Sequence, residues 1–224
     1  MAGRKRSDER HAPEARLFVA VPLPDDVGLA IGALVDRVKE RLAAADRATA
    51  ADGGLPGGRV RWVRMDGLHV TLRFLGGTAE QHVDAIARAV DAAAGVASPF
   101  EIAIDGGGAF PTAGRPRALW LRIAAGADGL ADLAAHLDGA LVDAGWPHED
   151  RPFRAHLTVA RTDGVRAGPL AARELAAAAD GLNAHFPARR LVLFRSHLGG
   201  GPARYEPLHE APIGAPIAAE AEAG

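Results

Sequence analysis

The alternation of apolar and polar residues along the chain predicts short strands separated by amphipathic helices. Apolar residues that recur every three or four positions indicate one helix beginning at Asp25 and another over residues 128–144. A capping box of Thr78 and Gln81 predicts a third helix, and Pro169 is placed to begin a fourth. Strands are predicted at residues 16–23, 59–63, 68–75, 100–105, 118–123, 155–161, 191–197 and 203–208. This order of elements predicts the α+β class.

Breaks in the pattern predict where elements and the domain end. Gly76 and Gly77 are expected to end their strand, and residues 46–58, rich in Ala, Asp, Gly and Pro, are expected to form a mobile loop. Charged residues at the start and Ala, Pro and Glu at the end predict disordered segments. We therefore expect an N-terminal extension (1–15), one bilobal domain (16–210, with halves of about 16–105 and 106–210) and a flexible C-terminal tail (211–224).

One tetrapeptide pattern, His-apolar-Thr-apolar, occurs twice. It is His69-Val-Thr-Leu in the first half of the chain and His156-Leu-Thr-Val in the second. Because side chains alternate across a strand, each copy puts its histidine and threonine on one face. Two imidazoles and two hydroxyls in one groove can bind a phosphate and transfer protons on both sides of it. A single copy is most often a locally satisfied pair, whereas two copies at matching places favour a phosphodiesterase site.

Composition limits the other interpretations. The chain has no cysteine, which excludes disulfides, thiolate catalysis and zinc–thiolate sites. Its net charge of −2 argues against a general nucleic-acid coat protein. The chain lacks a signal-like segment and an apolar stretch of membrane-spanning length, so we expect a cytoplasmic protein without a membrane partner.

Arginines near both motifs predict a local positive field for an anion, although each one alone is better explained as a solvated surface charge. They are Arg59, Arg61, Arg64, Arg73, Arg151, Arg154, Arg161 and Arg166. Strand alternation places Arg73 on the face of His69, whereas Arg161 has the opposite parity to His156 and reaches the cleft only if the strand bends or ends. Phe74 offers a ring for base stacking, but its parity favours the core.

At these residues the chain resembles the 2H phosphoesterase superfamily and, within it, the RNA 2′,3′-cyclic phosphodiesterases once named 2′-5′ RNA ligases. The matching segments are Arg16–Pro24, Trp62 with His69–Gly76, Gly108–Pro111, Leu119–Leu121, His156–Arg161 and Leu193–Ser196 with Tyr205. The resemblance implies a bilobal fold, with two pseudo-symmetric lobes and antiparallel sheets around a central cleft. It runs from about residue 16 to residue 208.

The resemblance also implies a reaction and its residues. Water would open a 2′,3′-cyclic phosphate at an RNA 3′ end and leave a 2′-phosphomonoester, with no cofactor and no metal. His69 would be the proton donor and His156 the proton acceptor, although the pseudo-symmetry also permits the reverse order. Thr71, Thr158 and Arg161 would bind the phosphate. RNA 3′ ends or nucleotides bearing the cyclic phosphate would be the partners of a protein expected to be a monomer.

Three alternatives remain open at this point. The first is ligation through a 2′-5′ bond, with a hydroxyl attacking in place of water. The second is a non-catalytic RNA- or nucleotide-binding module, which paired proton carriers argue against. The third is a metal hydrolase, which is disfavoured because each motif has threonine where a strong ligand is expected.

Overall fold

The computed structural model describes residues 14–52, 59–163, 167–197, 199 and 202–214, which form nine strands and four α-helices. The strands are β1 Glu14–Pro22, β2 Val60–Trp62, β3 His69–Ala79, β4 Glu101–Phe110, β5 Ala118–Ala125, β6 His156–Thr162, β7 Ala184–Pro187, β8 Arg190–His197 and β9 Arg204–Pro212. The helices are α1 Asp25–Ala51, α2 Val83–Val96, α3 Ala127–Asp143 and α4 Gly168–Ala179. Most of the two predicted tails lies outside the described residues.

Two antiparallel sheets, with strand orders β3-β1-β8-β9 and β2-β6-β5-β4-β7, form the framework. β1 pairs with β3 on one side and β8 on the other, and Leu17, Phe18, Val19, Ala20 and Val21 are all buried. A central strand covered on both faces needs an unbroken apolar run rather than alternation. The predicted α+β class is confirmed.

Each sheet takes strands from both halves of the sequence. β8 and β9 complete the sheet of β1 and β3, whereas β2 pairs with β6 in the other sheet. β4 continues through the predicted division between residues 105 and 106. The two sequence halves therefore do not correspond to separate lobes.

The helices follow the predicted apolar stripes, but α1 is longer than expected. Its buried residues are Val27, Ile31, Leu34, Val35 and Val38. The helix continues to Ala51, so the expectation of a loop from residue 46 is wrong for residues 46–51. Alanine has the highest helix propensity, and the segment lacks glycine and proline up to that point. Residues 53–58 of the predicted loop lie outside the described residues.

Three other features also differ from the sequence expectation. β3 does not end at the two glycines, because Gly76 adopts a left-handed φ of 69° beside a register shift and pairing resumes as far as Ala79. The capping box is not formed: Thr78 lies in β3, and its hydroxyl donates to the Leu75 carbonyl oxygen at 3.4 Å. β7 was not predicted, since four residues are too few to show alternation.

The helices cover a single apolar core shared by both sheets. In α3 the apolar stripe consists of Leu130, Leu133, Leu137 and Leu141, all fully buried, and α2 packs beside α3. The packed chain extends past the predicted domain end at residue 210, since Ala211 and Ile213 are buried in the same core. None of the described helices is both long and apolar enough to cross a membrane.

Candidate active site

The two motif strands belong to different sheets, and both begin at one cavity of about 530 Å³. His69 is the first residue of β3 and His156 the first residue of β6. Both histidines line the cavity, together with Thr71, Thr158 and Arg161. The structure thus brings together all five residues that the sequence proposed.

Each histidine is oriented by the backbone two residues before it. His69 Nδ1 lies 2.7 Å from the Gly67 carbonyl oxygen, and His156 Nδ1 lies 2.7 Å from the Arg154 carbonyl oxygen. A carbonyl can only accept a hydrogen bond, so Nδ1 carries the proton in both rings. Nε2 of each imidazole is then the nitrogen left for proton exchange in the cavity.

The surroundings of the two rings differ. The His69 ring contacts Phe18 at a centroid distance of 4.7 Å and meets the Tyr205 ring perpendicularly at 5.0 Å. Burial lowers the pKa of His69 below its ordinary value of 6.5, and the hydrogen bond to Gly67 opposes that shift only in part. The His156 ring instead meets Phe110 perpendicularly, at 5.2 Å.

Gly67 combines two roles beside His69. Its carbonyl orients the imidazole, and a Cβ atom on this residue would lie only 2.9 Å from the Tyr205 ring. The absence of a side chain therefore lets the tyrosine pack against His69. Phe18, Tyr205 and the two carbonyls were not among the predicted site residues, and a backbone acceptor leaves no signal in side-chain chemistry.

A register shift follows the threonine in both motif strands. Ala20 pairs with Thr71 but Val19 pairs with Arg73, which leaves Leu72 as an extra residue in β3. Likewise Trp120 pairs with Thr158 but Leu119 with Ala160, which leaves Val159 as an extra residue in β6. Such a bulge reverses the alternation of the side chains that follow it, up to any further bulge in the strand.

The bulges decide which residues after the motifs face the cavity. Phe74 and Arg161, each five residues after its histidine, both line it. Arg161 thereby joins the site despite its opposite sequence parity. Phe74 is 59% exposed, so the expectation that it belongs to the core is wrong.

The expectation that Arg73 faces the cleft with His69 is also wrong. Its side chain, turned away by the bulge, is only 7% exposed. Nη1 lies 2.9 Å from Asp138 Oδ1 of α3, and Nη2 donates to the Pro147 carbonyl oxygen at 2.5 Å. Burial acts to raise the pKa of Asp138. The hydrogen bond from Arg73 and the hydrogen bond from the Glu149 backbone nevertheless hold that pKa below its usual value.

The remaining arginines were predicted to form a positive field near the motifs, and some of them have acidic partners instead. Arg64 pairs with Asp66 and Arg151 with Glu149, so both have local partners on the surface. Arg166 lies outside the described residues. In the described ranges, no group of three or more His, Cys, Asp or Glu side chains is arranged to hold a metal ion.

A sequence model of the 2′-5′ RNA ligase superfamily matches residues 35–200, a range that holds both motif strands. The chain belongs to the 2′-5′ RNA ligase superfamily. This confirms the predicted family, and the match covers well over half of the chain.

Several relatives of this chain carry a common name. The RNA 2′,3′-cyclic phosphodiesterase of Archaeoglobus fulgidus is 34% identical over 146 residues, which are 65% of this chain and 72% of the relative. That of Methanothermobacter thermautotrophicus is 33% identical over 153 residues, which are 68% of this chain and 74% of the relative. That of Geobacillus stearothermophilus is 32% identical over 158 residues, or 69% of this chain but 48% of the relative. The chain thus matches about half the length of the Geobacillus protein.

Solved structures show the same fold. TT0787 of Thermus thermophilus superposes with a TM-score of 0.65 at 24% identity, over 89% of this chain and 98% of that one. E. coli LigT in its apo form superposes with a TM-score of 0.63 at 22% identity, over 90% of this chain and 99% of the LigT chain. The predicted 2H phosphoesterase-like fold is therefore confirmed.

Proposed function

We propose that this protein hydrolyses RNA 2′,3′-cyclic phosphate ends to 2′-phosphomonoesters by two-histidine acid/base catalysis, without a metal ion. The observation that carries the proposal is the pair of histidines, each held through Nδ1 by a backbone carbonyl and each lining one cavity with a threonine. Relatives named RNA 2′,3′-cyclic phosphodiesterase support the choice of substrate.

The proposed reaction needs one proton removed and one supplied. His156 Nε2 accepts a proton from water as the water oxygen forms a bond to phosphorus. The bond from phosphorus to the ribose 3′ oxygen breaks, and His69 Nε2 donates a proton to that oxygen. The product keeps the phosphate on the 2′ oxygen, and the two imidazoles exchange their protonation states.

Thr71, Thr158 and Arg161 are proposed to hold the phosphate. Hydroxyls can donate hydrogen bonds to the non-bridging oxygens, and the guanidinium balances the charge that builds on them in the transition state. The bulge in β6 supports the inclusion of Arg161, because it turns that side chain towards the cavity of His156.

The lowered pKa of His69 in the free protein opposes its role as proton donor. A bound phosphodiester anion next to the ring acts in the other direction, since an opposite charge favours the imidazolium. The proposed order of roles therefore requires the substrate to promote protonation of His69.

The proposal predicts turnover of a 2′,3′-cyclic mononucleotide in excess chelator. His69→Ala and His156→Ala should each lower kcat by about 10²–10⁴-fold, because each removes one positioned acid or base. Thr71→Ala and Thr158→Ala should cost less, about 1.5–3 kcal/mol of transition-state binding for a lost hydrogen bond to a charged group. Phosphorus NMR of the product identifies the 2′-phosphate.

The matched control is His185→Ala, an exposed histidine on β7, which β5 and β4 separate from β6. It should retain wild-type rates. A 3′-phosphate product would reverse the regiochemistry, and loss of turnover in chelator would refute metal independence. Binding without turnover under any condition would favour the nucleotide-binding module, whereas a 2′-5′ linked product from a 5′-hydroxyl RNA would favour ligation.

A further inference from the structure

A second cavity, of about 710 Å³, adjoins the catalytic one. Thr71, Phe74 and His156 line both, so the reacting groups lie at the junction of the two. His69 and Thr158 line only the first cavity. The reacting phosphate and its own ribose therefore belong in the first, and the second is left for a neighbouring part of the substrate.

Aromatic rings and alanine side chains line the second cavity. Phe74, Phe110 and Phe153 contribute rings, of which Phe74 is 59% exposed. Three alanines of α3, at positions 131, 134 and 135, also line it and are here called its floor. These positions lie on one face of the helix, where small side chains leave room beside the rings. A slot between rings and small residues suits a planar, partly apolar group such as a nucleobase.

Positive charge lies at the edge of this cavity. Arg154 lines it and is exposed, and it forms no ion pair within the part of the chain that the structure describes. The buried Arg73 is neutralised by Asp138, and the exposed Arg151 pairs with Glu149. An apolar slot with a free guanidinium at its rim matches a base joined to a phosphate.

We propose that this second cavity, between α3 and the segment before β6, binds the nucleotide that precedes the 3′-terminal cyclic nucleotide of an RNA. The inference rests on the proposed function. The cavity's size falls within the usual range for a site that holds one small ligand. Recognition by ring stacking is tolerant of base identity, so the cavity selects substrates by length rather than by sequence.

The test compares two substrates that differ only in this nucleotide: a 2′,3′-cyclic mononucleotide and a dinucleotide ending in the same cyclic group. Stacking of one base is expected to raise kcat/KM for the dinucleotide by about 5- to 150-fold. Ala135→Phe fills the floor of the slot and should bring the ratio of the two kcat/KM values close to one. Hydrolysis of the mononucleotide should be unchanged.

The matched control is His136→Phe, the next residue of α3, which is exposed and outside the cavity lining. It should keep the dinucleotide advantage. Should Ala135→Phe melt at a lower temperature than the wild type, Ala131→Phe provides a second filled variant on an exposed floor position. Equal kcat/KM values for both substrates in the wild type, or an advantage that survives both filled variants, would overturn the inference.

Two further results separate this inference from the proposed function. An equal loss of mononucleotide hydrolysis in the filled variants would mean that the cavity holds the terminal nucleotide, and would overturn the inference alone. If neither substrate is hydrolysed, the proposed function fails. Calorimetric titration with the mono- and dinucleotide 2′-phosphates then still tests whether the second cavity binds the preceding nucleotide. Tighter binding of the dinucleotide, lost in Ala135→Phe, would support the inference. Equal binding of the two would refute it.

Discussion

At the scale of single residues, two histidines with the same motif have different environments. Their Nδ1 atoms make the same bond to a carbonyl two residues upstream, at the same distance of 2.7 Å. Around His69, however, the rings of Phe18 and Tyr205 pack closely, and burial lowers the pKa of the imidazole. The difference between the two environments thus comes from neighbouring rings rather than from the motif.

The pH dependence of catalysis tests the proposed division of acid and base roles. Because kcat/KM reports the ionisation of the free enzyme, and His69 must carry a proton to act as the donor, kcat/KM should fall as pH rises through the pKa of His69, which burial holds below its ordinary value. Tyr205→Ala should expose the ring, raise its pKa towards 6.5 and move this limb to higher pH. Profiles of kcat/KM against pH for both proteins provide the measurement. If kcat/KM instead increases through that pKa, His69 is the base and the proposed roles are exchanged.

At the scale of elements, a bulge after each threonine sets what each motif strand presents to the cavity. Leu72 and Val159 are the extra residues. Two positions after each of them, Phe74 and Arg161 line the cavity. One strand therefore contributes a ring and the other a cation. The same reversal turns Arg73 to α3 and joins the first motif strand to the segment that leads to the second.

Removal of Arg73 should destabilise the fold through that contact. Arg73→Ala leaves Asp138, which is 13% exposed, without its main partner, and should lower the free energy of unfolding by about 3–5 kcal/mol, as for a broken buried ion pair. Urea unfolding measures the change. The control is Arg122→Ala, which removes an exposed pair with Asp105 and should cost about 1 kcal/mol or less. Equal losses in the two variants would show that the Arg73 pair contributes no more than a surface pair.

At the scale of the whole molecule, both sheets are built from strands of both halves of the sequence. β1 depends on β8, and β2 depends on β6, so neither sheet is complete within one half. A single apolar core joins both sheets and all four helices. The cleft therefore lies between two sheets that fold as one unit.

Because each sheet contains strands from both halves of the sequence, we predict that a fragment of residues 14–105 does not fold alone. It lacks β8 and β6, and the apolar faces of β1 and α1 would be left uncovered. Circular dichroism should show loss of strand structure and no cooperative thermal transition. A cooperative melt of this fragment, with the full chain measured alongside, would contradict the shared-core interpretation.

Local patterns in the sequence determined the class, most helices and strands, and the motif residues of the site. A helical stripe such as Leu130, Leu133, Leu137 and Leu141 depends only on residues a few positions apart, and so does the pairing of His with Thr on one strand face. Tertiary structure alone decided that Arg161 and Phe74 enter the cavity, that Arg73 leaves it, and that His69 has a lowered pKa. The bulges depend on pairing with β1 and β5, and the burial of His69 depends on Phe18 and Tyr205, which are distant in sequence. Interactions between distant segments leave no periodic signal near the residues that they affect.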